Sequence, residues 1–187
     1  MKKQILSGVV LLAAALAAPG PAAAQGRLAV EPSVGWGFFG TLPDTRARLE
    51  GGWAYGARAA IRPLARWGVY GHVQRSRPQL LGQLPFTGVD SGDRITVEHW
   101  SAGLEYSYHR WETGAEALPL VLQAGIGRTS YEGGPSDAAV SLGVSGGVPF
   151  APGVSLRYGI NDYLSNYDGG AGWVNQVFAR IGLELSL

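Results

Sequence analysis

Strict alternation at the end of the chain constrains the fold more than any other feature of the sequence. Between residues 176 and 187 one parity is wholly apolar: Val177, Ala179, Ile181, Leu183, Leu185 and Leu187. The other parity holds Gln176, Phe178, Arg180, Gly182, Glu184 and Ser186. Because successive side chains of a β-strand point to opposite faces, this segment is predicted to be a strand with one apolar face.

The same alternation predicts seven further strands. It is clearest at 28–38 and at 53–62, where the second segment stops before Pro63, which cannot donate to a ladder. The other five are less regular, at 67–75, 95–108, 118–129, 138–146 and 154–163. The predicted fold is all-β, an eight-stranded antiparallel up-and-down barrel.

The connections between these strands alternate in character. Four are rich in Gly, Pro and Asp and are predicted to be outward loops, at 40–52, 77–93, 130–137 and 165–172. The other three are predicted to be periplasmic turns, at 63–66, 109–117 and 147–153. Short turns at one end and longer loops at the other are typical of outer-membrane barrels.

The first residues have the composition of an export signal. Lys2 and Lys3 precede an apolar run at 5–18, and a stretch of small residues ends at 22–24. We therefore predict a signal peptide at 1–24 and one barrel domain at 25–187. The chain has no cysteine, which excludes disulfides and thiolate chemistry.

Charge composition excludes a nucleic-acid partner and indicates a membrane. The 15 basic side chains comprise Lys2, Lys3 and 13 arginines, which nearly balance 14 acidic residues without forming a clustered basic face. Soluble domains usually cover themselves with mixed Lys and Glu, and the predicted barrel has no lysine. The apolar parity is therefore predicted to face lipid.

The other parity is predicted to fill the barrel interior, because it is mostly Gly, Ser and Ala with a few charges. Those charges nearly neutralise one another and are expected to form a salt-bridged interior polar network, since buried charges must be paired. Its members are Glu31, Arg58, Glu105, Arg157, Arg180 and Glu184. An exported soluble lipocalin-like carrier, with its apolar parity inside, is the alternative that alternation alone leaves open.

Aromatic side chains predict two girdles at the membrane boundaries. The outer girdle would comprise Trp36, Phe38, Trp53, Tyr55 and Trp173. The periplasmic girdle would comprise Trp67, Tyr106, Tyr108 and Phe150.

The last strand, 177–187, and the segment 152–158 resemble those of the OmpA/OmpX-like small outer-membrane β-barrel family. The resemblance implies a place in the outer membrane of a Gram-negative-type bacterium, in contact with its lipid. It also implies periplasmic chaperones and the barrel-assembly machinery as partners during biogenesis. That family commonly ends in an aromatic residue, and Leu187 departs from this pattern.

Two pairs of residues are candidate chemical sites. His99 and Ser101 lie two apart on one strand face and could act as base and nucleophile, as in lipid A deacylase barrels, but no acid is placed to complete them. His72 and His99 would lie opposite each other if the hairpin is centred between Pro85 and Phe86, and a hydrogen-bonded interior pair is favoured over a metal site. No catalytic residue, cofactor or metal is predicted.

The second outward loop contains apolar side chains, namely Leu80, Leu81, Leu84 and Phe86. They could form a contact surface or pack over the barrel mouth, and packing is favoured. The predicted function is a non-enzymatic envelope scaffold or adhesion protein with a plugged interior. A lipid-modifying enzyme that uses His99 and Ser101 is the alternative, and the crowded interior argues against a passive channel.

Overall fold

Eight long strands close into a barrel in the computed structural model, which describes residues 27–43, 47–64, 66–82, 91–108, 120–168 and 172–187. In chain order, the strands of these ranges are β1 (Arg27–Phe38), β2 (Arg48–Leu49), β3 (Gly52–Arg62), β4 (Trp67–Ser76), β5 (Leu80–Leu81), β6 (Val97–Ser107), β7 (Val121–Tyr131), β8 (Ser136–Ala151), β9 (Val154–Tyr167) and β10 (Gly172–Ser186). The described residues contain no apolar helix of membrane-spanning length. The predicted signal peptide at 1–24 lies outside the described residues.

The barrel has the predicted up-and-down antiparallel topology. Its neighbour order is β1-β10-β9-β8-β7-β6-β4-β3, and β1 closes the ring by pairing with both β10 and β3. β2 and β5 form a separate two-stranded sheet in the loops that join β1 to β3 and β4 to β6. The eight predicted barrel strands are therefore confirmed, and the small sheet was not predicted.

Strand register sets the tilt of the barrel. A path that follows paired residues from Leu28 once around the ring returns to β1 at Phe38, ten residues further along. The path passes through Ile61, Val69, Leu104, Ala124, Leu142, Asp162 and Val177. Strands tilted by about 40° advance roughly 2.5 Å along the barrel axis per residue, so ten residues span about 25 Å, the height of a typical apolar band.

Several strands are longer than the sequence predicted, which shortens three connections. β7 and β8 leave only residues 132–135 between them, and β9 extends to Tyr167, three residues into the predicted loop 165–172. β8 continues to Ala151, so Pro152 and Gly153 alone form the third turn. Gly153 has a φ of 73°, a conformation that favours glycine. The predicted turn 109–117 lies outside the described residues.

The two parities face the directions that were predicted for a membrane barrel. Ile181, Leu183 and Leu185 are exposed on the outside, whereas Arg180 and Glu184 are buried inside. A lipocalin-like carrier requires the opposite arrangement, so that alternative is wrong. The outer surface is instead an apolar belt that suits lipid.

A hydrophobic cluster, here called the loop-end cap, covers the mouth at which β2 and β5 lie. Its buried members are Leu42, Ala47, Leu49, Leu80, Ile95, Val97, Tyr131, Tyr167 and Val174. Leu80 is 0% exposed, which confirms that it packs over the mouth, and Leu81 is partly buried beside it. Leu84 and Phe86 lie outside the described residues. The opposite end, where Leu28, Leu187 and the turn at Pro152 and Gly153 lie, is here called the turn end.

Candidate functional site

The most highly organised part of the described structure is a group of buried charges inside the barrel, here called the interior charge cluster. Its members are Glu31, Arg58, Arg62, Glu105, Arg157, Arg180 and Glu184, and each is at most 6% exposed. Alternation brings these side chains inward from β1, β3, β6, β9 and β10. The structure thus brings together all six residues of the predicted network and adds Arg62.

Arg58 is the hub of this cluster. Its guanidinium contacts the carboxylates of Glu105, of Glu31 at 3.5 Å and of Glu184 at 3.9 Å. It also lies 5.3 Å from the centre of the Tyr70 ring, within range of a cation–π interaction. One cation therefore contacts three acidic residues from three different strands.

The other arginines complete the pairing of these carboxylates. Arg62 donates from Nε to Glu105 at 2.8 Å and from Nη2 to Glu184 at 2.6 Å. Arg157 lies 3.7 Å from Glu184 and donates to the Ser145 hydroxyl at 2.9 Å. Every carboxylate of the cluster has at least two cationic partners.

Arg180 links the cluster to the next level of the interior. Its guanidinium binds Glu31, and its Nε donates to Asn161 Oδ1 at 2.6 Å. Strand tilt and register place the cluster from about 1 to 14 Å above the level of Leu28, in the half of the barrel nearer the turn end. These ion pairs therefore cross the lumen between different strands.

Above the cluster lies a layer of aromatic and imidazole rings. Tyr163 is 0% exposed and its hydroxyl lies 2.7 Å from His72 Nδ1. His99 stacks on Tyr163 at a centroid distance of 4.5 Å, meets Phe178 edge-on at 5.0 Å and has its Nδ1 2.9 Å from the Thr129 hydroxyl. This ring layer fills the lumen between the charge cluster and the loop-end cap.

The predicted pairing of His72 with His99 is wrong by two residues. His72 pairs with Ser101, and His99 pairs with Gln74, so this hairpin is centred one residue later than predicted. A slip of two residues keeps every side chain on the same face, so alternation cannot detect it. Both imidazoles do point inward, and each has its own hydroxyl partner rather than the other imidazole.

The candidate pair His99 and Ser101 lies inside the barrel. Both residues are at most 3% exposed, and His99 Nδ1 contacts Thr129. A lipid substrate on the outer surface would be separated from Ser101 by the wall of the barrel. The described residues also contain no group of three or more His, Cys, Asp or Glu placed to hold a metal ion.

Aromatic side chains mark both borders of the apolar belt. Trp36 and Trp53 meet edge-on at 5.5 Å on the outside of β1 and β3, toward the loop end. Trp67 and Tyr106 lie 4.9 Å apart on β4 and β6, toward the turn end. The remaining members of the two predicted girdles are also exposed, namely Phe38, Tyr55, Trp173, Tyr108 and Phe150.

A carboxylate anchors the loops above the belt. Glu132, in the turn between β7 and β8, accepts a hydrogen bond from the Thr96 backbone N–H at 2.7 Å. Hydrogen bonding from Thr96 lowers the pKa of Glu132 below its usual range, because the bond favours the charged form. The contact ties the turn to the segment that precedes β6.

Sequence reasoning missed two groups of residues that the structure makes prominent. Arg62 shares the inward parity of Arg58 and lies four residues further along the same strand, which is the signal that could have identified it. Arg75 and Arg128 interrupt outward apolar parities near the loop end, at the level where the belt should stop. Their positions relative to the belt depend on register, which alternation does not specify.

Comparison with known proteins identifies the fold. No family model matches the sequence, and no curated protein is significantly similar to it in sequence. The structure is similar to that of the outer membrane protein OprG from Pseudomonas aeruginosa, with a TM-score of 0.55 and 11% identity, covering 87% of this chain and 96% of OprG. It is similar to neisserial surface protein A (NspA), with a TM-score of 0.54 and 14% identity, covering 86% of this chain and 97% of NspA. A weaker likeness, with a TM-score of 0.47 and 15% identity, is to Ail of Yersinia pestis in complex with the heparin analogue sucrose octasulfate, covering 84% of this chain and 99% of Ail.

The closed eight-stranded ring, the apolar belt and the likenesses to OprG and NspA define one class of fold. It is the fold of the small outer-membrane β-barrels of OmpA/OmpX-like type, as the sequence predicted. OprG is an outer membrane protein, and the outer face of the present barrel is an apolar belt of the kind that suits lipid.

Proposed function

We propose that the chain is a non-enzymatic outer-membrane scaffold that holds a closed barrel in lipid and presents the loops held by its loop-end cap to molecules outside the cell. The observation that carries this proposal is that the lumen is filled at successive levels. The interior charge cluster occupies the half nearer the turn end, the ring layer lies above it, and the loop-end cap covers the mouth.

A closed lumen favours a scaffold over a channel. Separating one partner from a buried ion pair costs about 3–5 kcal/mol, and a conducting path would have to separate several pairs around Arg58 and Arg62. Side chains of the ring layer would also have to move away from Tyr163. The chain therefore presents a rigid body to its surroundings rather than a pore.

The loop-end cap supports a role in contact with other molecules. Apolar side chains of two loops pack together, and the loops are further joined where β2 pairs with β5. Loops that are held in one conformation lose less conformational entropy when they bind a partner. In this proposal the loop end faces the outside and the turn end faces the periplasm, as is usual for such barrels.

Conductance of the purified chain tests the proposal. The chain is refolded into lipid, its folded state is checked by heat-modifiable gel migration, and it is added to planar bilayers beside a heat-denatured control. We expect heat-modifiable migration and the same baseline current in both samples. Discrete, reproducible openings in the folded sample alone would contradict the scaffold proposal, and so would a folded monomer in plain buffer.

A further inference from the structure

The border of the apolar belt at the loop end differs in charge around the barrel. On β4, β6 and β7 it carries four outward side chains, here called the rim cluster: Arg75, Glu98, Trp100 and Arg128. On β8, β9 and β10 the described outward side chains include Asp162 and no arginine, because Arg157 and Arg180 both point inward. Among the described residues, the outward cationic side chains at this level are thus confined to one face.

Register places the rim cluster in one compact patch. Arg75 pairs with Glu98 across β4 and β6, and Trp100 pairs with Arg128 across β6 and β7. An inter-strand spacing of about 4.8 Å and a rise of about 3.3 Å per residue place the two arginine Cα atoms about 12 Å apart. Trp100 lies on the strand between them, so both long side chains can reach one group above its ring.

The patch lies at the depth where lipid headgroups begin. Arg75 is six residues beyond Val69, and Arg128 is four residues beyond Ala124. Strand tilt and register then put both arginines about 21–23 Å above the level of Leu28, near the upper edge of a belt about 25 Å tall. Directly below them Val73 and Ile126 are 52% and 74% exposed, as lipid-facing side chains should be.

The charges of this face are only partly balanced within the chain. Arg75 is paired with Glu98 at 3.3 Å, and both side chains are almost half exposed. Glu132 lies near enough to Arg75 and Arg77 for their charges to lower its pKa further. Arg128 is exposed and makes no ion pair with any residue that the structure describes. At this depth its natural counter-ion is a lipid headgroup.

We propose that the rim cluster is a binding site for the phosphate of a phosphorylated glycolipid in the outer leaflet. Arg128 and the free donors of Arg75 bind the phosphate, since guanidinium groups match its oxygens in fork geometry. Trp100 lies at the boundary between acyl chains and headgroups, and the apolar surface around Ile126 contacts the acyl chains. The proposal needs the barrel in lipid but does not depend on the scaffold function.

Native mass spectrometry of the full chain, refolded in detergent micelles, tests this site with bisphosphorylated lipid A as the probe. We expect the wild-type chain to retain lipid A in preference to phosphatidylcholine. Arg128→Gln should weaken retention about fivefold, corresponding to the ~1 kcal/mol that one arginine contributes near an anionic membrane surface. Arg75→Gln together with Arg128→Gln should weaken it about 25-fold on the same scale.

Two further variants separate this site from diffuse attraction. Glu98→Gln should strengthen retention several fold, because it removes the carboxylate that competes with phosphate for Arg75. Arg48→Gln, an exposed arginine in β2 away from the rim cluster, should leave retention unchanged.

Unchanged retention in the double variant, or an equal loss in the Arg48 variant, would overturn the proposal. Displacement of lipid A by millimolar inorganic phosphate would also overturn it, since the site would then recognise free phosphate. If the double variant does not show heat-modifiable migration, the test rests on the comparison of Glu98→Gln with the unsubstituted chain. Equal retention of lipid A by these two chains would contradict the proposed site. Failure of any of these arms would leave the conductance result, and so the scaffold proposal, unaffected.

Discussion

Removing the hub of the interior charge cluster should destabilise the barrel more than any change to a surface ion pair. In Arg58→Met the cation that contacts Glu31, Glu105 and Glu184 is lost, together with its ring contact to Tyr70. Breaking a buried pair by removing one partner costs about 3–5 kcal/mol, because the remaining charge stays buried. We expect a value near 3 kcal/mol at pH 7, the lower end of that range.

The lower end is expected because the three carboxylates keep other cations. Glu105 retains Arg62 at 2.8 Å, Glu31 retains Arg180, and Glu184 retains Arg62 and Arg157. No carboxylate is left without any partner in this variant.

Urea unfolding of the barrel in lipid vesicles measures this effect, with tryptophan fluorescence and heat-modifiable migration as two independent probes. The matched control is Arg75→Met, which removes the same side chain from an exposed pair whose members are 44% and 45% exposed. Exposed ion pairs contribute about 0–1 kcal/mol, so the control substitution should change the free energy of unfolding by no more than about 1 kcal/mol. Equal losses of stability in the two variants would refute the view that buried pairing holds the interior together.

Two further predictions concern the belt and the loops. Ile181→Arg places a charge on the lipid face near mid-height and should lower the free energy of unfolding in vesicles by about 2–4 kcal/mol. Leu187→Arg, at the turn end, should lower it by less than about 1 kcal/mol. Similar losses at both positions would contradict the assignment of the apolar belt. Because the hydrogen bond from Thr96 lowers the pKa of Glu132 in the folded chain, this bond should be complete above the usual carboxyl pKa and be lost as the pH falls through the lowered pKa. Hydrogen exchange of the Thr96 amide, corrected for intrinsic rate, should therefore accelerate in acid, and Glu132→Gln should abolish that pH dependence; a pH-independent corrected rate in the unsubstituted chain would show that the bond does not protect this amide.

The sequence was sufficient to predict which face each strand turns inward. Glu31, Arg58 and Glu184 were expected inside, and Ile181 and Leu183 outside, and the structure places them so. Side-chain direction alternates along any extended strand whatever its partners, so parity can be read from a single strand. The residue types on the inward face, which are mostly small with a few charges, then distinguished a membrane barrel from a soluble one.

Partners across the barrel could not be predicted in the same way. A slip of two residues leaves every side chain on its face, which is why the His72 and His99 pairing was wrong although both residues do point inward. The position of Arg62 beside Glu105 and Glu184 depends on how strands distant in sequence meet across the lumen. The alternation of residues within one strand does not specify such contacts between strands.

By itself, then, the sequence predicted a signal peptide, and it determined eight alternating strands with a polar inside and an apolar outside. Tertiary structure decided the ten-residue displacement between Leu28 and Phe38 on closing the ring, and with it the height of every side chain in the belt. It also decided that Leu80 packs in the loop-end cap and that Arg75 and Arg128 share one level. The physical reason is that parity is a local property of extended backbone, whereas register and closure are set by packing among all eight strands together.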